Sequence, residues 1–260
     1  MVADLHSHKR VLSLFSGCGG MDIGFEGGFK IHPALYQSNY GKLNRGRLPK
    51  TSFETVFAND IRPGAKMAWN NFYRKDPDLY HLGSIVDCVK SAQRGDFEFP
   101  ECDIVTGGFP CQDYSVATTL HNSKGLRGKK GVLWWSIHRI LEQKKNPPKY
   151  LFLENVDRLL KSPATQRGRD FAVMLKSLDQ LGYAVEWRVI NAAEYGMPQR
   201  RRRVFFIAYH KSTAAYKKLK KSNKQEWIGL TGVIAKAFPV LPTFSVSDAI
   251  ALDGDLVEIT

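Results

Sequence analysis

The apolar residues of this chain come in short runs separated by helical patterns, and that alternation restricts its fold more than any other feature. Runs at 11–15, 55–59, 103–106, 150–154, 184–190 and 204–209 have the length and composition of buried strands, with a weaker one at 81–85. Between them, 20–26, 64–72, 132–143 and 169–181 read as helices. In the last of these, Phe171, Leu175, Leu178 and Leu181 recur at helical spacing and form a core stripe. Strands alternating with helices predict a doubly wound α/β sheet. Two stretches fit no regular element: 30–52, rich in Gly, Asn, Pro and basic residues, and 115–131, rich in Gly, Lys and Arg. Loops of that length inside a compact domain usually carry function.

An open α/β sheet binds its ligands at the carboxyl ends of the strands, near the point where strand order reverses. The residues following each run therefore matter most. After the first run comes Phe15-Ser16-Gly17-Cys18-Gly19-Gly20, a glycine turn that lets backbone approach a cofactor. After the second comes Asn59-Asp60, where a carboxylate can accept ribose hydroxyls or simply cap a helix ahead of Pro63. The turn is neither GxGxxG nor GxxxxGK[ST], which argues against a dinucleotide enzyme and an NTPase. Gly107-Gly108-Phe109-Pro110-Cys111-Gln112 follows the 103–106 run. A thiol there acts as a nucleophile if a helix N-terminus or an arginine lowers its pKa. Glu154-Asn155-Val156 places a carboxyl at the neighbouring strand end, as an acid or as a salt-bridge partner. Gln199 then precedes Arg200, Arg201, Arg202 and Arg203, which enter the last strand. Alternation puts Arg201 and Arg203 on one face, and Arg200 and Arg202 on the other.

Charge and cysteine usage narrow the partners. The chain carries a formal net charge of +13, and the basic residues cluster at Lys124, Arg127, Lys129 and Lys130, at 200–203 and at 217–221. A basic protein with clustered charge favours a nucleic-acid partner over a solvated surface of no consequence. The four cysteines, Cys18, Cys88, Cys102 and Cys111, form no CxxC pair and no zinc-spaced cluster with histidine, so no metal is expected. Cys88 and Cys102 read as reduced, buried thiols of a cytoplasmic protein, and Cys18 as either core or loop. No apolar run is long enough to span a bilayer.

In order, FSGCGG, ND, GGFPCQ, ENV and QRRRR resemble the cytosine-C5 DNA methyltransferases of bacterial restriction–modification systems, over about residues 11–209. The resemblance implies a class I, Rossmann-like fold with a mixed seven-stranded sheet whose last strands are antiparallel. It implies S-adenosylmethionine as cofactor, with S-adenosylhomocysteine as product. It implies that Cys111 attacks C6 of a flipped cytosine in duplex DNA, that Glu154 protonates or hydrogen-bonds ring N3 and positions the exocyclic amine, and that Arg203 contacts the base near O2 while Arg201 supports the loop. Phe15, Ser16, Gly17, Gly19, Gly20, Asp60, Ile61, Ser84, Ile85, Gly108, Phe109, Pro110 and Leu133 would line the cofactor site. Gln112, Ser115, Lys124, Arg127, Lys129, Lys130 and Gln199 would contact DNA, with the 115–131 loop closing over it.

The chain departs from the family pattern in three places. Gly83-Ser84-Ile85 stands where the family places an acidic residue, and the 30–52 insertion has no clear counterpart. After Tyr209, neither the target-recognition domain nor the closing helix is recognisable. This sets an expectation of a catalytic domain over 1–210, an incomplete recognition region over 211–260, and a further segment or second polypeptide carrying the recognition domain. The alternatives are a transfer RNA methyltransferase with the same motifs and a non-catalytic subunit that binds nucleic acid. The intact Cys111, Glu154, Arg201 and Arg203 argue against the latter.

Overall fold

The computed structural model describes residues 8–30, 49–110, 132–162, 166–195 and 199–237. Seven strands form one sheet in the order β3-β2-β1-β4-β5-β7-β6. They are β1 Lys9–Leu14, β2 Phe53–Asp60, β3 Tyr80–Leu82, β4 Ile104–Gly107, β5 Tyr150–Val156, β6 Tyr183–Asn191 and β7 Arg202–His210. The first five run parallel, and β7 inserts antiparallel between β5 and β6. The chain moves outward from β1 in both directions, so the strand order reverses between β1 and β4. That switch point opens a crevice at the carboxyl ends of these strands.

Both faces of the parallel strands are apolar, as burial under helices requires. On one face Leu12, Leu14, Val105, Leu151, Leu153 and Phe206 pack against α3 (Ile85–Arg94), α4 (Val132–Gln143) and α5 (Arg169–Gln180). The expected stripe of α5 lies in this core, with Phe171 and Leu178 buried and Leu175 and Leu181 packed at its margin. On the other face α1 (Gly20–Glu26) and α2 (Pro63–Tyr73) cover β1 and β2, with Trp69 and Tyr80 buried around Ala58.

The helix α3 was not expected from the sequence, although Ile85, Cys88, Val89 and Ala92 recur at helical spacing and face the core. Ser84 caps it by accepting from the Val86 N–H at 3.2 Å. The last strand begins at Arg202, earlier than hydrophobicity suggests, because β5 and β6 pair its backbone while the arginine side chains reach water at the sheet end. Beyond β7, α6 (Ala214–Lys221) buries Leu219 against Ala184 and Tyr209. The buried Glu186 carboxylate accepts from Tyr209 and from the N–H groups of Val233 and Ile234, fastening that segment to β6. Cys88 and Cys102 are buried, and desolvation pushes their thiols up to about 11 and about 12. Among the described residues no helix is long and apolar enough to cross a membrane.

Candidate active site

The site is assembled from strand ends. At the end of β1, Phe15 and Gly17 take positive φ values of 55° and 54°, turning the chain sharply before α1. Positive φ is costly for a phenylalanine, and it persists here because neighbouring strands fix the turn from several sides. Ser16 N–H donates to the Asn59 carbonyl at 2.8 Å, and Gly17 N–H donates to Asp60 Oδ2 at 3.1 Å. Tyr80 and Tyr73 donate their hydroxyls to the carbonyls of Gly17 and Gly19, at 2.8 and 2.7 Å. Gly19 has φ 88°, and a Cβ there would lie 2.6 Å from the Tyr73 ring and 2.7 Å from Trp69. Only glycine fits between these rings and the turn.

Beneath the turn lies Asp22, a carboxylate with no exposed surface. Ser13 donates to one of its oxygens at 2.5 Å and Trp69 Nε1 to the other at 2.9 Å, tying β1, α1 and α2 together. Burial raises its pKa, and the Ser13 and Trp69 hydrogen bonds oppose that shift. Neither Asp22 nor the two tyrosines stood out in the sequence. Asp22 had one available signal, an acidic residue within the apolar helix that follows a glycine turn.

The β2 and β3 ends complete this half of the crevice. Asp60 is buried, and its second oxygen accepts from Arg62 N–H at 3.0 Å. Each carboxylate oxygen thus takes one backbone donor and keeps further lone pairs. Ile61 is 68% exposed beside it. Asn59 donates to the carbonyls of His81 and Gly83, holding the turn into Ser84. Ile85 points its side chain into the core, and Leu133 packs at the core margin in the first turn of α4.

The other half lies across β4, β5 and β7. Arg203 Nε sits 2.8 Å from Glu154 Oε1, and an Arg201 guanidinium nitrogen lies 4.0 Å from the same oxygen. Arg202 points the other way, to Asp157 at 3.1 Å. Arg203 and Arg202, adjacent in β7, thus point to opposite sides, with Arg201 just before the strand on the Arg203 side. The Glu154 side chain is 19% exposed. A Cβ on Gly108 would lie 3.2 Å from its Oε2, so the loop leading to Cys111 abuts this carboxylate. Asn155 Nδ2 donates to the Phe109 carbonyl at 3.0 Å, and the Phe109 ring is buried against Trp134 and Phe206. Pro110 and Gln199 are exposed. Cys111, Gln112, Ser115, Lys124, Arg127, Lys129 and Lys130 lie outside the described residues. Among the described residues no group of His, Cys, Asp or Glu is placed to hold a metal ion.

Comparison with known proteins adds a second line of evidence. A profile of the family described as C-5 cytosine-specific DNA methylase matches residues 9–241. The type II methyltransferase M.Sau3AI of Staphylococcus aureus is 41% identical over 233 residues, 89% of this chain and 50% of that protein. The type II methyltransferase M.NgoBV of Neisseria gonorrhoeae is 34% identical over 207 residues, 78% of this chain and 42% of that protein. The chain thus spans about half the length of these curated relatives. Among solved structures, the S. pombe Dnmt2 methyltransferase superposes with a TM-score of 0.51 at 21% identity, covering 87% of this chain and 55% of that one. The Entamoeba histolytica methyltransferase EhMeth does so with a TM-score of 0.50 at 18% identity, covering 78% and 53%. These superpositions establish the fold as that of a class I methyltransferase.

Proposed function

Because the chain belongs to the C-5 cytosine-specific DNA methylase family, we propose that it is the catalytic portion of a DNA (cytosine-5-)-methyltransferase that modifies duplex DNA through a covalent intermediate on Cys111. One observation carries the reading: Glu154, held by Arg203 at 2.8 Å, abuts Gly108, three residues before Cys111. A fixed carboxylate next to the loop that leads to Cys111, at the same sheet end as the glycine turn and Asp60, supports this reading.

The residues present fit S-adenosylmethionine. The free lone pairs of Asp60 suit two ribose hydroxyls. Exposed Ile61 offers an apolar surface to an adenine ring, and the α1 N-terminus suits the carboxylate of the amino-acid moiety. Phe15, Ser16, Gly17, Gly19, Gly20, Ser84, Gly108, Phe109, Pro110 and the backbone of Ile85 complete the pocket, with Leu133 behind it. Bound there, the cofactor supplies an electrophilic methyl group.

The chain's own residues do the rest. Cytosine C5 is a weak nucleophile. The Cys111 thiolate adds to C6, and the C5–C6 π electrons become available at C5. Glu154 hydrogen-bonds N3 and limits negative charge on the ring, while Arg203 orients both carboxylate and base. After C5 gains the methyl group, a solvent water takes the C5 proton, the C–H electron pair re-forms the C5–C6 double bond, and the C6–S bond breaks to release the thiolate and restore ring and enzyme. The base must leave the stack for the thiol to reach C6. Gln112, Ser115, Lys124, Arg127, Lys129, Lys130 and Gln199 contact the duplex, largely at phosphates. The relatives' type II assignment supports a restriction–modification setting. Incubating the complete protein with duplex DNA and cofactor labelled in its methyl group tests the activity. Label is expected on C5 of cytosine and absent with Cys111→Ser. Label on transfer RNA but not on duplex would overturn the proposal.

A further inference from the structure

The lysine cluster at 217–221 takes no part in the site described above. β7 starts at the site with Arg202 and ends at His210, opposite the start of β5. From Arg203 to His210 at a strand rise of ~3.4 Å per residue is about 24 Å, so α6 sits at the far end of the sheet from Glu154. There Leu219 is buried against the sheet, the Thr213 hydroxyl caps the helix by accepting from Tyr216 N–H, and Lys220 pairs with Asp179 at 2.9 Å. The helix is fixed in place. Its outward face is Lys217, Lys218, Lys220 and Lys221, all exposed. Among the described residues no carboxylate pairs with Lys217, Lys218 or Lys221. Two more exposed lysines adjoin: Lys149, whose carbonyl accepts from His210 N–H at 3.0 Å, and Lys211, whose N–H donates to Gly182 at 2.8 Å.

We propose that this lysine face binds the phosphate backbone of a second segment of duplex DNA, away from the segment at the active site. On α6 the surface offers point charges, because Tyr216 is half-buried and already lies beneath Lys220 at 5.6 Å; at its margin Tyr150, beside Lys149, is 38% exposed but is packed edge-on against Tyr209. Single strands are held by stacking as well as charge, whereas a duplex backbone needs only cations in a row. The contact is independent of sequence and raises the local concentration of the protein on long DNA.

The choice of DNA as the polyanion rests on the methyltransferase reading, and the test separates the two. The complete protein is acylated at lysine with and without a short duplex lacking cytosine targets, and each site is read by mass spectrometry. Acylation of Lys217, Lys218 and Lys221 is expected to slow several-fold with duplex, while Lys90 on α3 is unchanged. In binding, Lys217→Gln/Lys218→Gln/Lys221→Gln removes three phosphate contacts. Between 50 and 200 mM salt the wild type should then lose about 40-fold more affinity than the variant. Unchanged acylation, or equal salt dependence, overturns the inference. Equal protection by poly-glutamate also overturns it by showing a surface without preference for DNA. A protein that forms the Cys111 adduct but leaves these lysines unprotected keeps its enzymatic assignment and loses only this surface.

Discussion

Glu154 has little freedom. Arg203 holds one oxygen at 2.8 Å, and the other lies within 3.2 Å of where a Cβ on Gly108 would stand. Gly108→Ala puts a Cβ 3.2 Å from Oε2, so carboxylate and loop must part by a few tenths of an ångström. Because sub-ångström placement governs near-attack geometry, methyl transfer should fall roughly 10- to 100-fold with unfolding stability nearly unchanged. Arg203→Ala frees the carboxylate and, on the proposed mechanism, removes a cation that orients the base, with an expected loss of roughly 10²-fold or more in kcat. Steady-state kinetics beside urea unfolding checks both. The arginine pairing was legible in the sequence, because alternation along a strand fixes which side chains share a face. The Gly108 contact was not, because it arises from the stagger between β4 and β5.

The glycine turn works as an element held from below. Gly19 lies against Tyr73 and Trp69, and Asp22 ties Trp69 to Ser13. Gly19→Ala would meet both a left-handed backbone and two rings, costing about 2–4 kcal/mol. A lower urea midpoint and weaker cofactor binding are the expected readings. Asp22 gives a pH signature. Its pKa is raised in the folded state above the ordinary 3.8, so the folded protein keeps a proton that the unfolded chain has lost. Stability from this group is therefore full below 3.8 and declines as pH rises from there through the raised value. Asp22→Asn can still accept from Trp69 and can donate to Ser13, so the variant folds and lacks that decline. The difference between the two stability–pH curves isolates the group. The glycine turn and Asp60 could be read in the sequence because turns and strand ends have local signatures. The tyrosine and tryptophan supports could not, since they come from α2 and β3, far along the chain. The helix α3, by contrast, carries a local signal, since Ile85, Cys88, Val89 and Ala92 follow helical spacing behind the Ser84 cap.

At the scale of the whole molecule, topology accounts for the division of labour. Parallel strands fanning outward from β1 collect the glycine turn, Asp60, Ser84, Gly108 and Glu154 at one end of the sheet. The antiparallel β7 delivers Arg203 to that end and carries the chain to the lysine face of α6 at the other. The alternation of runs made this architecture legible, because parallel sheets must be apolar on both faces. The position of α6 was not legible, since a lysine run looks the same wherever it lies. The central claim is that Cys111 forms a covalent bond to cytosine C6 beside Glu154, and a mechanism-based trap tests it most directly. The complete protein is incubated with cofactor and duplex DNA carrying 5-fluorocytosine, where fluorine prevents loss of the C5 substituent and elimination of the thiol. A stable protein–DNA adduct mapped by mass spectrometry to Cys111, and absent from Cys111→Ser, is the predicted result. No adduct, or one on another residue, would contradict the account.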